Sequence, residues 1–282
     1  MSHPFFNLNH KIIPVNEPTF ISANRALRYG DGIFEGLRVL NGEFIFFEDH
    51  ISRLISAMSA LGFSIPENFT SAFFHKLISE LLIANKVSSE AIIRIQVYRA
   101  SAGLYEPMTD DVEFFIETFD SVPDSFKWPG LSISAGLFSD WKKEFNPAMN
   151  FKTCNSQVYI MASRWKRNAG FDEALLLNSN GNIADATSSN IFIWKENKLI
   201  TPALTEGCIA GVIRKNILAV AQTNGIETEE REVTVNEVFK AEELFLTNVS
   251  RGIRSVKSFN KQEYRNKLTG TLAEIFYSQF AV

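Results

Sequence analysis

One stretch without periodicity, Asp120-Ser-Val-Pro-Asp-Ser-Phe-Lys-Trp-Pro-Gly130, does most to limit how this chain can fold. Its two prolines and its glycine interrupt both helix and strand, so the pattern of elements has to be read separately on either side. The expectation is a small N-terminal domain over residues 1–120, a linker at 121–129 and a larger domain over 130–282. At 282 residues the chain has reached the size at which one hydrophobic core commonly gives way to two.

Before the break, residues 11–22 alternate loosely and Gly30-Asp31-Gly32 marks a tight turn where backbone must approach something closely. Ile33 to Leu40 is a strand, Asn41-Gly42 a two-residue hairpin turn, and Glu43 to Phe47 the return strand. Asp49 is positioned to cap a helix from His50, with Ile51, Leu54, Ile55, Met58 and Leu61 on one stripe. A second helix spans Phe73 to Asn85, and Ala91 to Tyr98 and Val112 to Thr118 are strands. Hairpin, two helices and two further strands make this half α+β.

After the break, Leu131 to Leu137 is a strand, Trp141 to Asn150 irregular, and Thr153 to Asn168 a helix closed by Gly170. Strands at Glu173 to Leu177 and Ile191 to Trp194 flank the turn Asn178-Ser-Asn-Gly181. Leu199 to Thr201 is a short strand, and Gly211 to Asn224 a helix stopped by Gly225. Strands at Glu227 to Val233 and Glu243 to Thr247 and a helix from Lys267 to Phe280 complete the chain.

Composition removes several function classes. With 45% apolar and 21% charged residues the chain is an ordinary globular one. A net charge of −4 without a dense basic patch argues against a nucleic-acid partner. The short basic runs Lys142-Lys143 and Arg164 to Arg167 read as solvated faces. No uncharged apolar run is long enough to cross a bilayer, and the first residues lack the pattern of a signal peptide. Two cysteines, Cys154 and Cys208, allow one disulfide at most, and a reduced, cytoplasmic setting is expected. The 25 Phe fit aromatic-rich cores or a subunit interface. Four scattered histidines show no metal-ligand spacing, and neither a Gly-x-Ser-x-Gly elbow nor a Walker loop is present.

Lys152, between Phe151 and the small polar residues Thr153, Cys154 and Asn155, has no acidic neighbour in sequence. Alone it is either a solvated side chain or a buried amine with a chemical role. Likewise Ile209-Ala-Gly-Val-Ile-Arg214 opens a helix whose free N–H groups suit an anion, or is a plain helix start. Thr247-Asn-Val-Ser250 is a polar turn after a strand, equally able to donate to phosphate oxygens.

Together the pieces carry more. Arg28-Tyr-Gly-Asp-Gly-Ile-Phe-Glu-Gly-Leu-Arg38, Glu48-Asp-His-Ile-Ser-Arg53-Leu, Lys152-Thr-Cys-Asn, Gly181-Asn-Ile-Ala-Asp-Ala-Thr-Ser-Ser-Asn190-Ile-Phe and Ile209 to Arg214 follow one another in order. This resembles the class IV pyridoxal-phosphate enzymes, among them branched-chain and D-amino-acid aminotransferases and aminodeoxychorismate lyase, over essentially the whole chain. The resemblance implies fold type IV, with a small N-terminal α/β domain and a larger β-barrel-like domain carrying helices. It also implies pyridoxal 5'-phosphate as cofactor, a homodimer, and a small amino acid and oxo acid as substrates.

By the same resemblance Lys152 matches the lysine that binds the cofactor as a Schiff base and shuttles the proton. Arg53 matches an arginine on the cofactor phosphate. Gly211, Val212 and Ile213 match the helix-start cradle, and Asn248, Val249 and Ser250 a second phosphate contact. Asp185 falls where a glutamate usually faces the pyridine nitrogen, and Tyr29, Phe34, Arg38 and Arg94 match the substrate side. The chemistry wants a lysine that loses its proton easily, a carboxylate that keeps the ring nitrogen protonated, and phosphate contacts remote from the reacting bonds. The chain departs from the pattern in four places. Asp185 is shorter than glutamate by roughly 1.5 Å, Ile213 replaces a threonine, and Val249 stands where a hydroxyl is common. The tyrosine usual shortly after the lysine is absent at Asn155, Ser156 and Gln157.

Three functions follow. Phe34-Glu-Gly-Leu-Arg38 resembles the branched-chain subgroup and favours an aminotransferase. Arg94, Arg99 with Gly103-Leu-Tyr-Glu-Pro107, and Thr247 to Gly252 resemble lyase-like members as much, giving 4-amino-4-deoxychorismate lyase as the alternative. The departures at Asp185 and Ile213 and the missing tyrosine keep a degenerate, non-catalytic relative as the third.

Overall fold

A computed structural model describes residues 3–17, 22–100, 103–121 and 126–280. The expected linker at 121–129 and the loose alternation over 11–22 therefore lie partly outside the described residues. The chain divides into two units, Met1–Val122 with Phe151–Asn155, and Pro123–Asn150 with Ser156–Val282.

The first unit contains β1 (Phe5–Leu8), β2 (Lys11–Pro14), α1 (Arg25–Tyr29), β3 (Gly32–Leu40), β4 (Glu43–Phe44), α2 (Phe47–Ala60), α3 (Ser71–Ala84), β5 (Ala91–Arg99) and β6 (Val112–Phe119). Its antiparallel sheet runs in the order β2-β1-β6-β5-β3-β4. Alternation on β3 sends Ile33, Leu37 and Val39 to one face, where Ile93, Ile95 and Val97 of β5 join them. Helices α2 and α3 cover that face with Ile51, Leu54, Met58, Phe74, Ile78 and Leu81. Each such buried side chain contributes about 1.5–3 kcal/mol. Part of the phenylalanine excess sits here, where the Phe69 ring lies 5.2, 5.1 and 5.5 Å from those of Phe73, Phe74 and Phe114.

The return strand is shorter than expected. After Glu43 and Phe44, Ile45 turns into the core and Phe46 adopts φ 50°, which starts the helix at Phe47. Asp49 therefore lies with Glu48 in the first turn, where both complement the helix dipole, and is not the cap.

The second unit contains β7 (Leu131–Lys143), α4 (Gln157–Ala169), β8 (Glu173–Asn178), β9 (Ile183–Ala186), β10 (Asn190–Lys195), β11 (Lys198–Pro202), α5 (Val212–Thr223), β12 (Thr228–Arg231), α6 (Val235–Lys240), β13 (Glu243–Asn248), β14 (Gly252–Phe259), β15 (Gln262–Glu263) and α7 (Lys267–Ser278). The sheet follows β12-β11-β10-β13-β14-β7-β8-β9, with β15 paired to β14. Pairs β11–β12, β14–β7 and β7–β8 are parallel. The sheet curls until β9 returns beside β10 and β11, which gives the barrel-like form. Leu175, Leu177, Ile191, Ile193, Leu244, Leu246 and Val256 share one core, while Ala174 and Leu176 pack with Phe138 and Ala162 of α4. Strand β8 is thus buried on both faces.

Three sequence expectations change here. Strand β7 continues through Trp141 to Lys143, and Lys143 is buried, not on a solvated face. Helix α4 begins at Gln157, not Thr153, because the residues around Thr153 pair with β3 of the first unit. Strands β9 and β14 and helix α6 were not evident, since Ile-Ala-Asp-Ala and Gly-Ile-Arg-Ser-Val-Lys break simple alternation. Both cysteines are free thiols, and no helix among the described residues is long and apolar enough to cross a membrane.

Candidate active site

In the first unit, Lys152 is held by main-chain pairing to the start of β3. Phe34 N–H donates to Lys152 O at 2.8 Å, Cys154 N–H donates to Gly32 O at 2.8 Å, and Ile33 and Thr153 form an antiparallel bridge. Strand β4 covers β3 only at Val39 and Leu40, which leaves this edge for residues 152–154. Phe151 packs on the core beneath. The glycine turn is what permits the approach: a Cβ on Gly32 would lie 2.9 Å from Val97 O and 3.2 Å from Cys154 Sγ.

The half-buried Lys152 amine lies 5.1 Å from the centre of the Phe34 ring, and the Arg94 guanidinium stacks on the same ring at 3.9 Å. Arg94 is oriented by Gln96, whose Oε1 accepts from Nε at 3.2 Å and Nη2 at 2.8 Å. The Gln96 amide in turn donates to Cys154 Sγ at 3.0 Å. Burial lowers the Arg94 pKa from its ordinary value, opposed by Cys154 and Glu117. Three of the expected residues, Lys152, Phe34 and Arg94, are therefore neighbours.

Arg53 stands apart from them, on α2, and reaches Glu35 of β3. Its Nε donates to Glu35 Oε2 at 2.8 Å and its Nη2 to Glu35 Oε1, a bidentate pair with side chains 9% and 2% exposed. His50 Nδ1 is 3.6 Å from Glu35 Oε1, beyond hydrogen-bond reach but close enough for charge to be felt. Burial alone would raise the Glu35 pKa, but Arg53 and His50 together bring it far below the carboxylate range. Burial holds the His50 pKa below 6.5, with Arg53 and Lys152 acting the same way against Glu35. Tyr29 and Arg38 are not grouped with Lys152: Tyr29 packs against Tyr105 at 5.6 Å, and the fully buried Arg38 pairs with Glu90 at 2.7 Å.

In the second unit, Asp185 on β9 is 2% exposed at its side chain and almost saturated with donors. Oδ2 accepts from Lys143 Nζ at 2.7 Å, Tyr159 Oη at 3.1 Å and Ile209 N–H at 3.0 Å. Oδ1 accepts from Asn190 Nδ2 at 3.1 Å, which leaves that oxygen room for a further donor. Burial, and after it the Asp185 carboxylate, pushes the Tyr159 phenol well above its ordinary pKa, so it stays a donor.

Asn190 Nδ2 also donates to Ile209 O at 2.7 Å and so ties Asp185 to the loop that opens α5. Gly211 caps that helix without a side-chain acceptor, so no capping side chain takes up the N–H groups of its first turn, at Val212 and Ile213. Asn248 donates to Ser188 O at 3.2 Å and Ser189 Oγ at 2.9 Å, and accepts from Arg251 N–H at 2.8 Å. The turn through Val249 and Ser250 is thereby fixed beside the Thr-Ser-Ser loop. A buried carboxylate with a spare acceptor, linked through one asparagine to an uncapped helix start, fits a group that carries a ring nitrogen and a phosphate.

A Cβ on Gly211 would lie 1.8 Å from Asn190 Oδ1. Gly211→Ala is therefore expected to push Asn190 off both Asp185 and Ile209 and to cost about 1–3 kcal/mol. Urea denaturation checks this, and an unchanged midpoint would show that Asn190 can move without loss.

Lys143, Tyr159, Asn190, Glu35 and His50 were not anticipated as site residues. Tyr159, in the first turn of α4, supplies a phenol that the sequence lacks at Asn155 to Gln157. The one available signal was Glu35, an acid at an inward-facing position of β3 that requires a buried cation.

The Amino-transferase class IV family model matches residues 32–259. A Methanocaldococcus jannaschii protein named, without proof, as a branched-chain-amino-acid aminotransferase is 28% identical, the match covering 97% of this chain and 94% of that one. The D-alanine aminotransferase of Bacillus licheniformis is 25% identical over 94% of this chain and 92% of its own length. The branched-chain amino acid aminotransferase of Thermobaculum terrenum, solved in its pyridoxal-phosphate form, superposes with a TM-score of 0.86 at 26% identity, covering 99% and 94% of the two chains. The chain belongs to the class IV aminotransferases, a family of pyridoxal-phosphate enzymes.

Proposed function

We propose that this enzyme is a branched-chain-like aminotransferase that binds pyridoxal 5'-phosphate through Lys152, acts as a homodimer and moves an amino group between a small amino acid and a 2-oxo acid. The observation that carries this reading is the shared Phe34 ring, with the Lys152 amine at 5.1 Å and the Arg94 guanidinium at 3.9 Å. An amine, an apolar wall and a cation able to hold a substrate carboxylate are what an amino acid requires.

Bound pyridoxal phosphate would supply an aldehyde for amines and a ring that draws electron density from the substrate Cα. Asp185 is the residue for its ring nitrogen. Arg53, the N–H groups of Gly211, Val212 and Ile213, and the turn at Asn248, Val249 and Ser250 are those for its phosphate. Lys152 would hold the cofactor aldehyde and serve as the base that takes the Cα proton and returns it. Tyr29, Phe34, Arg38 and Arg94 remain the residues proposed for the substrate side.

The test is product analysis with cofactor present. Branched-chain amino acids should yield their oxo acids only when an acceptor such as 2-oxoglutarate is supplied. Pyruvate and 4-aminobenzoate released from aminodeoxychorismate without any acceptor would establish the lyase instead. No turnover in either assay, with no cofactor bound, would leave a non-catalytic relative.

A further inference from the structure

Lys143 is an unexpected residue to find inside the second unit. Its ammonium, 1% exposed at the side chain, lies 2.7 Å from Asp185 Oδ2 and 5.2 Å from the centre of the Tyr159 ring. The pairing comes from the length of β7, whose last residue, Lys143, registers with Asn178 at the end of β8 and reaches across to β9. The groups facing Asp185 are Lys143 from β7, Tyr159 from α4, Asn190 from β10, Ile209 N–H, and the Cys208 thiol. Tyr159 and Asn190 are neutral donors. Burial, and then Asp185, pushes the Cys208 thiol up to about 12, so it too stays neutral. Lys143 is the one cation among these groups.

We propose that Lys143 is the positioning residue of this site, holding the short Asp185 arm in place and, by sharing its carboxylate, lowering the proton affinity of the cofactor ring nitrogen. The inference rests on the reading that pyridoxal phosphate binds with its ring nitrogen on Asp185. Three donors on Oδ2 pin the carboxylate in one orientation, which leaves Oδ1 as the oxygen with capacity for a ring N–H. A carboxylate already balanced by an ammonium stabilises a second cation less than an unshared one does. An opposite charge at this range moves a pKa by about one to three units, and the same arithmetic applies to the ring nitrogen that competes for Asp185.

The experiment loads the full chain with pyridoxal phosphate labelled with nitrogen-15 in the ring, and follows the ring nitrogen by NMR as pH is raised. In Lys143→Met the deprotonation midpoint should rise by about one unit or more, while Lys143→Arg should keep the wild-type midpoint. Midpoints equal in Lys143→Met and wild type would make Lys143 a structural residue only and overturn the proposal. Should Lys143→Met fail to fold, Lys143→Gln keeps a neutral donor at this position without the charge, and its midpoint should rise likewise. An unchanged midpoint there would overturn the proposal equally. Cofactor that binds wild type without a shift in any variant defeats this inference alone, whereas a wild-type chain that binds no cofactor defeats the functional reading and the inference with it.

Discussion

Lys152→Ala is expected to lower transamination by about a thousandfold or more while leaving the fold intact. Proton transfer by a positioned side chain is worth about 10²–10⁴ in rate, and here the same amine is proposed to hold the cofactor as well. A loss of a thousandfold corresponds to about 4 kcal/mol of transition-state stabilisation. Stability should change little. The anchoring bonds at this position belong to the main chain, Phe34 N–H to Lys152 O and Cys154 N–H to Gly32 O, and alanine keeps them. The core anchor is Phe151, not the lysine. Cofactor-loaded wild type should absorb in the visible and the variant should not. A variant with activity within tenfold of wild type would remove Lys152 from the chemistry.

The parts of the molecule that could be read from its sequence are those set by local rules. Asn41-Gly42 turns a hairpin, alternation from Ile33 to Leu40 gives a strand, and Gly225 ends a helix after Thr223. What was missed depends on tertiary demand. Thr153 to Ser156 carry good helical neighbours, yet they stay outside the helix, because the edge of β3 at Gly32 to Phe34 pairs with Lys152 to Cys154.

Lys143 beside Lys142 looks like surface, and its burial depends on a carboxylate 42 residues later in the chain. The Asp185 environment was legible as residue types, an acid before a Thr-Ser-Ser-Asn loop, but not as a network. Its donors come from β7, α4, β10 and the loop before α5, four separate stretches whose proximity only the curled sheet creates. Glu35 was not anticipated either, although its position carried a signal. It occupies the inward phase of β3 between Ile33 and Leu37, and a buried acid there called for a cation on the covering helix.

That buried pair carries the second large expected effect. Replacing Glu35 with glutamine leaves Arg53 without the carboxylate that neutralises it, and breaking a buried pair from one side costs about 3–5 kcal/mol. Replacing both residues, Glu35→Met with Arg53→Met, should recover most of that loss, because two apolar side chains of similar size need no desolvation of charge. The pH dependence has a definite sign. The Glu35 carboxyl titrates far below 4.5 in the fold, so its contribution is present above pH 4.5 and is lost as pH falls toward the folded value. The His50 pKa is likewise lowered from 6.5, so below that pH the unfolded chain takes a proton that the fold refuses. Both groups make the unfolded state bind more protons, and urea stability of wild type should decline steadily from pH 7 to pH 4. Glu35→Gln should flatten the part of this decline below pH 4.5, and His50→Gln the part between pH 6.5 and 5. If Glu35→Gln instead matches wild type within about 1 kcal/mol at pH 7 and keeps its pH slope, the pair is open to water, since an exposed ion pair is worth no more than that.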